Sequence, residues 1–278
     1  MAKKEVELSR RRACNIVFTS LLMAGLVAAY FLVAPAFPRH AYLSGWVLFA
    51  VMLLLTFFNL RKKVPFLRMG SAKFWLQMHI YVGIFSGALF LVHISWTWPS
   101  GIFYQIFSLT YVVVFVSGFV GLWISRSFPK RLTLAGYETP FEKMPFARAK
   151  LREDAEALIL TGVDGQTAPV LAEFYTKQLG IFFTKPANLW AHLRGSRGPQ
   201  VAHTTQFDEV QRYAKKAEIV MLDGLRDLVD QKHMLDFQYS LQLSLRLWLF
   251  VHIPLSYSVL VFSVLHIVLV HSFSGAVS

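Results

Sequence analysis

An all-α integral membrane protein is the fold class that the sequence predicts, with five transmembrane helices and a helical cytoplasmic insertion between the fourth and the fifth. Three observations predict it. Hydrophobic residues make up 55% of the 278 residues and charged ones only 16%, where a soluble domain is about a quarter charged; the mean hydropathy is +0.47. Five apolar runs are long enough, at ~20 residues, to cross a bilayer as helices. No Asp or Glu occurs between Glu7 and Glu138, while Lys and Arg flank the runs. The net charge of +12 therefore follows membrane topology rather than a phosphate-binding groove, and nucleic acid is not an expected partner.

The runs are roughly 16–35, 42–60, 74–96, 103–125 and 245–272. The first ends near Ala34-Pro35-Ala36, which resembles a signal-peptide cleavage site. Its apolar core is too long for a signal peptide, so it reads as an anchor. Basic residues fix the orientation. Lys3, Lys4, Arg10, Arg11 and Arg12 precede the first run. Arg61, Lys62, Lys63, Arg68 and Lys73 lie between the second and third, and Arg126, Lys130 and Arg131 follow the fourth. The loop between runs one and two offers only Arg39, and residues 97–102 carry no charge. The N-terminus is expected in the cytoplasm and the C-terminus outside, with a bacterial inner membrane as the expected location. Trp46, Trp75, Trp96, Trp98 and Trp248 lie near run ends, as an interfacial aromatic belt places them.

Composition changes over residues 126–242, which hold 14 of the 16 acidic residues. The chain thus divides into 1–126 (transmembrane helices one to four), 127–242 (cytoplasmic helical insertion) and 243–278 (transmembrane helix five). Within the insertion, KMPFARAKLREDAEALIL reads as an amphipathic helix. DEVQRYAKKAEIVMLDGLRDLVDQKHML reads as one or two more, with Asp208 a candidate N-cap. GSRGPQ reads as a turn. No Gly-rich phosphate loop or nucleotide fingerprint occurs, so the insertion reads as a lobe that docks a partner or packs on the membrane surface. The single cysteine, Cys14, excludes an iron–sulfur cluster, a Cys-rich zinc site and an internal disulfide within the chain.

Histidine in a membrane helix is costly and marks function or a hydrogen-bonded core position. The third run carries His79 and His93, fourteen residues apart, and the fifth carries His252 and His266, again fourteen apart. Fourteen helical steps return to within about 40° of the starting direction and rise about 21 Å. Each pair therefore lies on one helix face, one histidine toward each side of a core about 30 Å thick. The two helices are separated by one span and run parallel, so His79 faces His252 on the cytoplasmic side and His93 faces His266 on the outer side. Two facing imidazoles supply both axial ligands of a haem iron. The expected cofactors are two haem b, an inner one on His79 and His252 and an outer one on His93 and His266. Zinc is the competing metal, but it prefers a compact four-ligand cluster, which two levels about 21 Å apart cannot form.

Gly83, Ser86, Gly87, Ser256 and Ser263 fit either a flat macrocycle between helices or ordinary close helix packing. Pro254 removes a backbone donor beside His252 and is a candidate kink. Lys73, Arg126 and Arg246 are placed for haem propionates at the inner edge, with Arg39 and His40 outside; each equally serves as a topological anchor. His271 is five residues past His266, about 140° around the helix, and cannot share that haem. A quinone or proton contact and a solvated helix end are the two readings left for it. His192, His203 and His233 show no metal-like spacing.

The segments MHIYVGIFSGALFLVH and VHIPLSYSVLVFSVLH resemble the haem-bearing helices of di-haem cytochromes b. The tail VLHIVLVHSFSG is similar to the second haem helix of the cytochrome b of quinol–cytochrome c reductases, and this resemblance implies a quinone near His271. A second resemblance, to the transmembrane domain of ferric reductases and NADPH oxidases, covers the same helices. Both imply haem ligation by His79, His93, His252 and His266. The expected function is a cytochrome b subunit passing electrons between a quinone pool, or a redox partner, and other subunits of a respiratory-type complex. Flavin, iron–sulfur or c-type cytochrome subunits are the expected partners. A ferric-reductase-like path fed by a separate flavoprotein is the alternative, and a haem-free transporter or scaffold is a third reading.

Overall fold

The computed structural model describes residues 17, 20–25, 27–32, 40–63, 72–134, 139–164 and 169–274. Among them no strand occurs. Three helices are long and apolar enough to cross a membrane, Phe74–His93, Ile102–Thr133 and Glu218–Phe273, and shorter apolar helices cover Ser20–Leu32 and Ala41–Phe57. The chain folds as two compact units, Met1–Trp123 with Trp248–Ser278, and Ile124–Leu247. The basic residues of the N-terminus, Cys14 and Arg39 lie outside the described residues.

In the first unit the helices are α1 (His40–Lys63), α2 (Ala72–His93), the start of α3 (Ile102–Leu134) and the end of α9 (Lys216–Ser274). The apolar run in α2 was expected to continue to Trp96. The helix stops at His93 because Ser95 and Trp96 adopt left-handed backbone, φ 52 and 59°. The Trp96 N–H then closes on the Leu91 carbonyl at 3.1 Å, a C-terminal capping pattern. Four helices meet at a cluster of Leu48, Met52, Leu89, Phe90, Tyr111 and Val259. The Phe90 and Tyr111 rings stack at 4.2 Å. The Tyr111 hydroxyl donates to Ser86 Oγ at 3.0 Å, and Ser86 donates to the Gly83 carbonyl at 2.7 Å. In hydrocarbon, where apolar surface gains nothing by meeting more of itself, such packing and side-chain hydrogen bonds hold helices together. Val113, Val116, Phe119, Val261, Val264 and Val268 are exposed, as a lipid-facing stripe requires. Pro254 does not end α9, which runs unbroken through it.

The second unit builds its core from α4 (Met144–Asp164), α5 (Pro169–Phe174), a π-helical turn at Tyr175–Leu179, α6 (Gly180–Thr184), α7 (Leu189–Arg194), α8 (Gly198–Gln211) and the start of α9. Ala155, Leu179, Phe183, Phe207, Leu222 and Leu225 are its buried centre. Tyr175 and Leu179, at the two ends of the π turn, are both buried. Two expectations are corrected here. Asp208 is not an N-cap: it sits inside α8 and pairs with Arg226 at 2.8 Å. GSRGPQ is a turn only at its start, where Gly195 (φ 74°) caps α7; α8 begins at Gly198, with Pro199 in its first turn, where the missing N–H costs nothing.

The structure gathers the three histidines that sequence spacing left apart. The His203 Nδ1 and His233 Nε2 atoms lie 2.8 Å apart, and the His192 ring lies 5.9 Å from that of His233. Among the described residues no group of three or more His, Cys, Asp or Glu is arranged to hold a metal ion. Burial instead keeps these rings neutral. It pushes His192 below its ordinary value, against Asp236, which raises it, and with Lys232 and Arg131, which lower it further. Burial also lowers His203, with Asp230 opposing and Lys232 assisting. A depressed folded value means the unfolded chain binds more protons below pH ~6.5. The stability of this unit is therefore expected to be complete above that pH and to fall as the pH drops below it. Thermal unfolding of the purified protein at pH 7.5 and pH 5 checks this, and a H192Q/H203Q variant should flatten the slope.

Candidate functional site: two histidine pairs

The four membrane histidines all belong to the first unit. Their rings project from α2 and α9 because those helices present the fourteen-residue repeat on facing sides. His93 and His266 have ring centroids 6.0 Å apart with planes at 82°. Two imidazoles bonded to opposite sides of one metal ion at about 2 Å have centres about 6 Å apart. The other two histidines, His79 and His252, lie within electrostatic range of each other, and the Leu55 carbonyl is in hydrogen-bonding reach of the His79 ring.

Neighbouring helices hold two of the four rings. Ser44, on α1, places Oγ 3.2 Å from His93 Nδ1. Ser117, on α3, places Oγ 2.6 Å from His252 Nδ1. The Trp248 indole stacks on His252 with centroids 5.0 Å apart and donates Nε1–H to the Ser117 carbonyl at 2.8 Å. His266 is bordered by Tyr104 at 5.6 Å and Phe107 at 5.9 Å, and its Nδ1 is buried with no hydrogen-bond partner.

A cavity of about 490 Å³ opens beside the His93–His266 pair, lined in part by Trp46, Tyr104, Tyr111, His93, His266 and His271. It falls within the ~300–1,000 Å³ of pockets that hold small molecules and cofactors. His271 is exposed on its edge. Its Nδ1 lies 2.9 Å from the Ile267 carbonyl, and its ring meets Tyr42 and Trp46 edge-on at 6.1 and 5.9 Å.

Two glycines give these rings their room, and neither is among the small residues that the sequence brought forward. A Cβ on Gly45 would come 2.9 Å from His93 Cε1, and one on Gly121 would overlap the Trp248 ring. By contrast, a Cβ on Gly83 would meet nothing within 4 Å, and one on Gly87 would strike Phe115 rather than a histidine. Gly121→Ala is therefore expected to displace Trp248 from His252 and to cost about 1–3 kcal/mol, as overpacking does. Tryptophan fluorescence and thermal unfolding in detergent measure both effects.

Arg246 forms an ion pair with Glu142 and lies over the Phe141 ring at 4.2 Å. Arg126 is exposed. The Lys73 side chain and that of His40 lie outside the described residues. Sequence reasoning passed over Ser44, Gly45, Ser117 and Gly121. Spacing within one helix shows a face, whereas these contacts join residues 49 and 135 positions apart.

Comparison with protein-family models, with curated proteins and with solved structures finds no match to this chain.

Proposed function

We propose that the chain is a di-haem cytochrome b subunit of five membrane spans, which carries electrons across a bacterial inner membrane from a quinol or redox partner to other subunits. The observation that carries the reading is the approach of His93 to His266 at 6.0 Å beside a cavity; His79 and His252, on the same two helices, lie within electrostatic range of each other. The donor set fits the group: facing imidazoles, one with an orphaned buried nitrogen, beside the aromatic rings of Tyr104 and Phe107. A bound haem b supplies a one-electron carrier at each pair.

The chain's own residues do the rest. α2 and α9 set the separation of the two pairs. Tyr104 and Phe107 border His266 with aromatic surface. His271, with Tyr42 and Trp46, is the place we assign to a quinone head group, since an imidazole there can accept or give the proton that accompanies quinol chemistry. Of the residues expected at the propionates, Lys73 keeps that role in the proposal. The N-terminus is cytoplasmic by the distribution of Lys and Arg.

The test is a reduced-minus-oxidised spectrum of the purified protein with haem extraction. Two b-type haems per chain, reduced by quinol and blocked by quinone-site inhibitors, support the reading. Reduction only through a flavoprotein points to the ferric-reductase-like alternative. Absence of extractable haem overturns both and leaves the haem-free reading.

A further inference from the structure

We infer that Ser44 and Ser117 are positioning residues that fix the tautomer of one histidine in each pair, presenting Nε2 of His93 and of His252 as the ligating nitrogen. The geometry behind this is the same at both sites. A serine hydroxyl has one proton. Ser44 donates its proton to the Ala41 carbonyl at 3.0 Å, and Ser117 donates its own to the Val114 carbonyl at 2.7 Å. Each Oγ then has only lone pairs left to offer the ring nitrogen beside it, at 3.2 Å for His93 and 2.6 Å for His252. The proton on that bond must come from Nδ1. The Ala41 carbonyl is a second acceptor within reach of the His93 ring, which points the same way. With Nδ1 protonated, the neutral ring keeps its free lone pair on Nε2.

The two serines come from helices that carry no ligand, α1 and α3. Each pair is thereby built unequally. His93 is held by a serine while its mate His266 has an orphaned Nδ1. His252 is held by a serine while its mate His79 has the Leu55 carbonyl in reach. A ligating imidazole that donates its other N–H is a stronger base toward the metal, and loss of such a partner typically costs about 10–100-fold in metal affinity. A stronger base favours ferric over ferrous iron, so each serine is expected to lower the potential of the haem at its own pair. The effect on potential rests on the haem reading above; the tautomer does not.

Two measurements on the full-length purified protein decide it. In potentiometric titration, Ser44→Ala should raise one of the two midpoints and Ser117→Ala the other. A tenfold loss of ferric preference is about 59 mV for one electron. Ser44→Thr and Ser117→Thr, which keep the hydroxyl, should restore the wild-type values. Equal movement of both midpoints, or of neither, overturns the inference. Nitrogen NMR of protein labelled with ¹⁵N-histidine reads the tautomer whether or not haem is present. His93 and His252 should carry the proton on Nδ1, and the hydrogen-bonded signal of each should shift only in its own serine variant. A proton on Nε2 of either ring in a haem-free wild-type protein overturns the assignment. A protein that proves haem-free would end the cytochrome reading, and the labelled spectrum would still decide the tautomer.

Discussion

His266→Ala is expected to remove one of two haems and leave the other in place, taking about half of the reduced-minus-oxidised b-type absorbance with it. The reason is geometric. His93 is the ring opposite His266 at 6.0 Å, and the other neighbours of His266, Tyr104 and Phe107, cannot replace a strong nitrogen donor. His93→Ala should give the same spectrum, and the H93A/H266A double variant should lose no more than either single one, because residues that act as a unit are not additive. His79→Ala and His252→Ala should remove the complementary half. His271→Ala should keep both haems and change only quinol-dependent reduction. Equal loss of both haems in every single variant would refute the assignment of separate pairs.

Asp236→Ala is the second large effect, and it falls on the other unit. Lys232 and Asp236 are both fully buried, one helical turn apart on α9, and form an ion pair. Lys232 Nζ also donates to the Lys185 carbonyl at 3.0 Å and lies over the Phe182 ring at 4.6 Å. Asp236 accepts the Ala187 N–H at 3.0 Å. Removing the carboxylate strands a buried ammonium and a backbone donor together. Breaking a buried pair from one side typically costs about 3–5 kcal/mol, which is a large part of the stability of most domains. Thermal unfolding and limited proteolysis within residues 144–215 measure the loss. A K232M/D236L variant, which removes both charges, should recover much of it; a D236A protein as stable as wild type would show that the pair is not buried in solution.

The helical class was legible because a chain with 55% hydrophobic residues and five long apolar runs has few other ways to satisfy its backbone in lipid. The histidine repeat was legible because a fourteen-residue spacing is a property of one helix. What the sequence did not disclose depends on contacts between helices. Ser44 and Ser117 look like ordinary small residues until α1 and α3 are set beside His93 and His252. The end of α2 at His93 rather than Trp96 reflects two non-glycine residues in left-handed backbone, which no apolar run announces. His192, His203 and His233 sit on three different helices, so their meeting has no period to betray it. Asp208 looked like a cap because it precedes an apolar run; Arg226, eighteen residues on, gave it a different partner.

The adjacent residues Ser44 and Gly45 give α1 a part in the architecture that a membrane anchor does not have. One supplies an acceptor to the His93 ring and the next supplies the hollow in which its edge lies. The helix thus acts as a mould for a side chain carried by its neighbour. A chain that begins at α2 would keep all four histidines at their proper spacing and still lack one wall of the His93 seat. The least unit able to form that seat is therefore three helices rather than the two that bear the histidines. A search for related sites should look for a small dipeptide on a helix facing the histidine helix, and not for the repeat alone.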